Sequence, residues 1–185
     1  MSNFDEFVKT IKAGGTVLYL SDTIWGLGCD PSNEAAVQKI IQLKNSPESK
    51  SFIVLTDHFR FLERMVPEFP EVCYDLVDFS TDPLTIIYPN AKGLAKQVLA
   101  EDGSVGIRIT KDPYCMSYLK ALNGPLLSTS DNLSGDPFPK SFEEIHPSII
   151  KGVDYILQIK DRKSNPKPSK IIKIGLDSSI EIIRG

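Results

Sequence analysis

"KIIKIGLDSSIEIIRG", residues 170–185, holds two apolar, strand-like runs, Lys170 to Ile174 and Ile180 to Arg184. Only "GLDSS" separates them, and no helix intervenes. A sheet whose neighbours join without helices is expected to be mixed rather than fully parallel. Further strand-like runs lie upstream: "VDYILQI" (153–159), "PLLSTS" (125–130), "VGIRI" (105–109), "PLTIIYP" (83–89), "FIVLT" (52–56) and "TVLYL" (16–20). Helical patterns occupy the ground around 57–66, 70–79, 91–100 and 112–122. Phe4, Phe7, Val8 and Ile11 recur at helical spacing and stop at Gly14-Gly15. Ala36, Val37, Ile40, Ile41 and Leu43 mark another helix, capped by Ser32 or Asn33 and ending near Lys44, before Pro47. Ser141 with Glu144 has the pattern of a capping box at one more short helix. "SDTIWGLGCDPSN" (21–33) reads as a polar, glycine-bearing loop. The fold class is therefore α/β (α+β), one domain over 1–185, a mixed sheet with flanking helices.

Hydrophobic residues make up 41% and charged residues 24%, enough for a packed core and unlike a disordered chain. The net charge of −3 lacks the strongly basic footprint of a nucleic-acid binder, although a local basic patch stays compatible with it. Cys29, Cys73 and Cys115 lie far apart with no C-x-x-C pair, which argues against disulfides or structural zinc and suits a cytoplasmic location. His58 and His146 stand alone and read as surface or hydrogen-bonded residues rather than metal ligands. No signal peptide is visible, and no apolar run reaches the ~20 residues that span a bilayer. No membrane role is expected. "KDRKSNPKPSK" (160–170) has two readings, a solvated loop or a flap over a site.

Several kinds of chemistry leave no mark. There is no phosphate loop and no nucleophile elbow, and "GLGCDP" lacks the third glycine of a dinucleotide fingerprint. Chemistry here is expected to rest on positioning and electrostatics rather than on a covalent nucleophile. What the chain does carry is polar islands at the ends of apolar runs. They are "SDTIWGLG" (21–28), "KNSPESKS" (44–51), "GSVGIRI" (103–109), "STSDNLSG" (128–135) and the closing "IIRG". Hydroxyls, backbone N–H groups and Lys or Arg at strand ends suit an anionic ligand. Arg108 sits inside a strand, where alternation could turn a guanidinium into a cleft to grip a carboxylate, or leave it on an edge facing water.

These islands, in this order, resemble the YrdC-like family of L-threonylcarbamoyl-AMP synthases. The matching segments are Asp22 to Gly28, Lys44 to Pro47, Val105 to Arg108, Ser128 to Gly135, Pro168 to Ile172 and Ile182 to Arg184, nearly the whole chain. The resemblance implies a twisted mixed sheet with one concave, positively lined cleft. It implies a nucleotidyltransferase that makes threonylcarbamoyl-AMP and pyrophosphate from ATP, L-threonine and bicarbonate, with Mg2+ accompanying ATP. The product serves threonylcarbamoyladenosine modification of tRNA, so downstream tRNA threonylcarbamoyl transferase proteins are implied partners. By resemblance Lys44 and Arg108 are catalytic. Thr23, Arg108, Ser128 and Ser169 bind threonine. Lys44, Lys50, Ser104, Ser130, Asn132 and Arg184 bind the nucleotide, and Asn132 and Ser134 brace the turn. No metal ligands on the protein are implied.

The chain departs from the family pattern at Leu20-Ser21, where the family has Pro-Thr, and at Ser46, where it has Arg. Asp131 replaces Ala and sets a carboxylate beside the expected triphosphate; Lys170 replaces Ser or Thr. The departures at Leu20, Ser46 and Asp131 bear on catalytic competence. Two functions therefore fit, a working synthase and a divergent, non-catalytic paralogue that binds nucleotide or RNA, including tRNA or double-stranded RNA. The synthase is the preferred reading.

Overall fold

The computed structural model describes residues 3–45, 52–133, 137, 139, 141–157 and 168–185. Lys50, Ser46, Pro47, Ser134, Gly135 and most of the 160–170 stretch fall outside these residues. The strands are β1 (Val17–Leu20), β2 (Trp25–Cys29), β3 (Ile53–Thr56), β4 (Leu84–Tyr88), β5 (Val105–Ile109), β6 (Leu126–Ser130), β7 (Tyr155–Leu157), β8 (Lys170–Ile174) and β9 (Ile180–Arg184). They form one sheet in the order β7-β1-β2-β6-β3-β5-β4-β8-β9. The pairs β1/β7, β3/β5 and β4/β8 are parallel and the others antiparallel, so the sheet is mixed, as the closing strands implied.

Alternation along the strands gives the sheet two unlike faces. On the first, Leu18, Leu27, Val54, Ile86, Ile107 and Leu127 pack in one core. That core takes Val37 and Ile40 from α2 (Glu34–Leu43), Phe61 and Leu62 from α3 (Phe59–Met65), Cys73 and Val77 from α4 (Val72–Phe79), and Ile149 from α6 (Pro147–Gly152). On the second face only one end is covered. There Val17, Tyr19, Leu55, Leu126 and Leu157 meet α1 (Asn3–Lys12) and α5 (Pro113–Leu122). Helix α1 carries Asp5 and Glu6 in its first turn and Lys9 and Lys12 in its last, each matched to the helix dipole. It buries Phe7 and Ile11, one turn apart, each adding about 1.5–3 kcal/mol. Gly14, at φ +81°, turns the chain out of it.

The other end of this second face is left open. Across it the register sets Ser128 beside Ile53, Ile53 beside Gly106, Gly106 beside Ile87, Ile87 beside Lys173, and Lys173 beside Glu181. Residues paired directly across strands point to the same face. One row of side chains thus runs from β6 to β9 and forms a floor.

Three expectations are corrected. The 21–33 segment is not all loop, since Trp25–Cys29 pairs with β1 and β6 as a strand. Gly26 and Gly28 hid it; a Cβ at Gly28 would stand 2.9 Å from both the Leu127 carbonyl oxygen and the Tyr19 ring, so glycine permits the close approach. The helix expected over 91–100 is only a 3₁₀ turn, Lys96–Val98. Asn90 at φ +54° and Gly93 at φ +71° turn the backbone out of helical geometry there, against the helix propensity of the Ala, Leu and Lys residues. Ser141 makes no side-chain cap bond, and Phe142–Glu144 is a 3₁₀ turn. Asn33, one of the two expected caps, does cap α2 by accepting from the Ala36 N–H; Asp112 caps α5, and His58 and His146 cap α3 and α6. Both histidines are thereby accounted for structurally.

Candidate active site

The open end of the sheet is a cavity of about 1180 Å³. Its floor is Ile53, Ile87, Gly106 and Ile171, without a large side chain at Gly106; a Cβ there would meet Thr85 Cγ2 at 3.2 Å and Ile53 Cγ2 at 3.3 Å. Polar groups converge from several strand ends. Thr23 comes from the β1–β2 turn, Ser128 and Ser130 from β6, Ser104 and Arg108 from the start and body of β5, and Ser169 and Arg184 from β8's approach and β9.

Each of these groups is held. In the β1–β2 turn the Ser21 hydroxyl donates to the Ile24 carbonyl (2.6 Å) and accepts the N–H groups of Thr23 (3.1 Å) and Ile24 (3.2 Å). The Thr23 hydroxyl lies 3.1 Å from the Ser21 hydroxyl. Because Ser21 has given its one proton to Ile24, Thr23 is the donor in that pair. Tyr19 donates to Ser128 Oγ at 2.6 Å. Burial pushes the Tyr19 phenol well above its ordinary range, so it remains a donor at any working pH.

Arg108 is 4% exposed and sets Nη2 3.0 Å from Asp22 Oδ1. The distance makes an ion pair, but the alignment does not make a hydrogen bond, and Oδ1 accepts none from the described residues. Thr110 Oγ1 donates to Asp22 Oδ2 at 3.0 Å, which fixes the carboxylate. Arg108 Nε is buried and has no hydrogen-bond partner among the described residues. A guanidinium so desolvated and only partly satisfied is prepared for a second anion.

At the far side, Arg184 Nε donates to the Ser169 carbonyl (2.8 Å), Nη2 lies 3.3 Å from Ser169 Oγ, and Ser169 Oγ is 3.0 Å from Thr85 Oγ1. Partial burial and the nearby Arg108 charge both lower the Arg184 pKa. Asp102 accepts from the Ser104 N–H (3.0 Å) and from Lys173 Nζ (2.8 Å). That lysine bond, first, and the Ser104 bonds hold the Asp102 carboxyl well below its usual range. Among the described lining residues Arg108, Lys173 and Arg184 face Glu101, Asp102 and Glu181, so the charges balance and a uniformly positive lining is absent from them.

Of the expected site residues, Thr23, Ser104, Arg108, Ser128, Ser130, Ser169 and Arg184 share this cavity. Lys44 and Asn132 do not line it. Lys44 caps the end of α2 at 5% exposure, and its ammonium donates to the Ser130 carbonyl, the Ser130 hydroxyl (3.2 Å) and the Asn132 carbonyl (2.9 Å). Asp131 does not line the cavity either. It is fully buried, so the carboxylate expected beside the triphosphate points into the protein instead. Leu20 belongs to the core, and Lys170 pairs with Asp82 at 3.0 Å. Tyr19, Asp22 and Thr85 were overlooked. Tyr19 lies within an apolar run, and only its cross-strand neighbours reveal its polar contact.

The sequence model of the Sua5/YciO/YrdC family, described as "Telomere recombination", matches residues 9–185. The chain belongs to that family. A threonylcarbamoyl-AMP synthase of Stenotrophomonas maltophilia is 35% identical over 156 residues, 83% of this chain and 84% of that protein. Among solved structures of the Sua5/YciO/YrdC fold, P. abyssi Sua5 complexed with L-threonine superposes with a TM-score of 0.84 at 22% identity, over 94% of this chain. The chain spans about half of that Sua5, 52% of its length. E. coli YciO superposes with a TM-score of 0.83 at 24% identity, covering 98% of this chain and 87% of its own. Both structural likenesses bear on the fold.

Proposed function

We infer that this member of the family is an L-threonylcarbamoyladenylate synthase, forming threonylcarbamoyl-AMP and pyrophosphate from ATP, L-threonine and bicarbonate. The observation that carries the reading is Arg108, a buried, incompletely satisfied guanidinium beside Thr23 and Ser128 in one cavity. Relatives named as threonylcarbamoyl-AMP synthases match more than four-fifths of the chain, which does not favour the non-catalytic alternative.

The reaction needs no protein nucleophile. The threonine amine and bicarbonate give a carbamate and water. A carbamate oxygen then attacks the α-phosphorus, the bond to the β-phosphate oxygen breaks, and pyrophosphate leaves. The site's task is to align these groups and answer the charge that builds on the phosphate. Arg108 grips the threonine carboxylate with the fork of a guanidinium, while Thr23 and Ser128 orient the rest of the amino acid. Ser104, Ser130 and Arg184 face the nucleotide, and Ser169, which accepts from Arg184, is a further threonine contact. Magnesium enters as Mg·ATP; no group of three His, Cys, Asp or Glu side chains that could hold it occurs among the described residues. The product serves tRNA threonylcarbamoyladenosine formation in the cytoplasm, handed to transferase proteins. No helix among the described residues is long and apolar enough to cross a membrane. Pyrophosphate release from ATP that requires both threonine and bicarbonate is the test. Release without either one, or none at all from folded protein, would refute the reading.

A further inference from the structure

Asp131 is fully buried, and among the described residues neither of its carboxylate oxygens has a hydrogen-bond partner. A carboxylate in that state needs a compensating charge. Lys44 supplies it from the end of α2 and is the charged side chain acting on Asp131 among the described residues; Asp131 is likewise the one acting on Lys44. The two do not hydrogen-bond directly. The ammonium donates to the Ser130 and Asn132 carbonyls, one on either side of Asp131, and to the Ser130 hydroxyl. A cation thus holds the turn by its carbonyls while the turn's own side chain supplies the opposite charge. Ser130, the residue so held, lines the cavity.

We propose that Asp131 is a positioning residue: as buried counter-charge to Lys44 it keeps that ammonium on the Ser130 and Asn132 carbonyls and so fixes the Ser130 hydroxyl at the cavity wall. The inference rests on the synthase reading only for the ligand that Ser130 meets. Burial, opposed by the Asp131 backbone N–H and then by Lys44, raises the Asp131 carboxyl to about 7, and burial, opposed by Asp131, lowers the Lys44 ammonium to about 8. Both charges are present together only near neutrality. The clamp is lost as pH falls through the first value, when Asp131 takes a proton, and as pH rises through the second, when Lys44 releases one.

The test compares wild type with Asp131→Asn, which keeps the volume and removes the charge. Pyrophosphate release is followed from pH 6 to 8.5 with threonine and bicarbonate saturating. In the wild type kcat/KM for ATP should fall on the acid side of pH 7. In Asp131→Asn that acid limb should be gone, with kcat/KM about tenfold lower at pH 7.5, mostly through KM. An unchanged acid limb in the variant overturns the inference. The second measurement is amide exchange over residues 126–133 in ligand-free protein, which needs no activity. Faster exchange in Asp131→Asn at 130–132, with the α1 and α5 amides unchanged, supports the clamp. Exchange unchanged, or faster everywhere, overturns it. If Asp131→Asn does not fold, Lys44→Met/Asp131→Asn, which leaves no buried charge, replaces it with the same expected outcomes. A wild type that releases no pyrophosphate but shows the local exchange change refutes the synthase reading and leaves the clamp standing.

Discussion

The two ends of the cavity use similar residues in opposite ways. At the β6 end, Arg108, Asp22, Thr23 and Ser128 are nearly buried, and each is held by a near neighbour: Arg108 and Asp22 by one another, Thr23 by Ser21 and Ser128 by Tyr19. At the β8–β9 end, Lys173 and Asp102 make a shorter contact, 2.8 Å against the 3.0 Å of Arg108 and Asp22, yet their side chains are 40% and 53% exposed. Water screens the second pair and competes for it, whereas the first pair has no such alternative. Distance alone does not rank these interactions; the surroundings do.

If that contrast is right, substitutions should fall in a definite order. The largest effect belongs to Arg108→Met. It leaves Asp22 buried without its cation, a loss of about 3–5 kcal/mol in stability. Threonine binding should weaken roughly ten- to a hundredfold with it. Calorimetry with L-threonine on protein shown to be folded measures both, and threonine affinity equal to wild type would break the comparison.

Gly106→Val comes next. Its side chain would press on Thr85 and Ile53 and raise the floor, with about 1–3 kcal/mol of overpacking. ATP and threonine should both bind less well, and equal binding of both would show that ligands do not lie on this floor. Tyr19→Phe is milder. It removes one bond to Ser128, worth about 0.5–1.5 kcal/mol, so threonine affinity should drop about two- to tenfold with the melting temperature little changed. An effect on ATP alone would reassign Ser128 to the nucleotide.

Asp102→Asn should be the smallest, a change within about twofold in either KM. Its pH dependence has a clear sign. The Asp102 carboxyl is depressed below its ordinary value of 3.8, so its contribution is present above that value and lost as pH falls further. Wild type and Asp102→Asn should therefore differ slightly in melting temperature at neutral pH and converge in strong acid. A difference as large as that of Arg108→Met would erase the distinction between the two ends.

Much of this was legible in the sequence, for a physical reason. A polar residue that ends an apolar run must leave the core where the strand does, so Thr23, Ser104, Ser128 and Ser130 emerge at one rim of one sheet. Arg108 was legible as a candidate because alternation gives it only two directions. Lys44 was not, since a long side chain at a helix end can swing toward a ligand or back onto a neighbouring turn, and only tertiary packing decides. Asp131 misled for the same reason: its neighbour Ser130 faces the cavity while it faces inward. β2 was hidden because strand propensity depends on side chains, and Gly26 and Gly28 have none to show.

The row from Ser128 to Lys173 crosses five adjacent strands, four spacings of about 4.8 Å, or ~19 Å in all. Every step of it is fastened by backbone hydrogen bonds, so it behaves as a gauge block: it can twist, but it cannot stretch. Whatever lies along the floor is measured against a fixed length. A longer or shorter ligand can be accommodated only by the side chains at the two ends, and any variant that re-spaces the ends must change the number of strands between them.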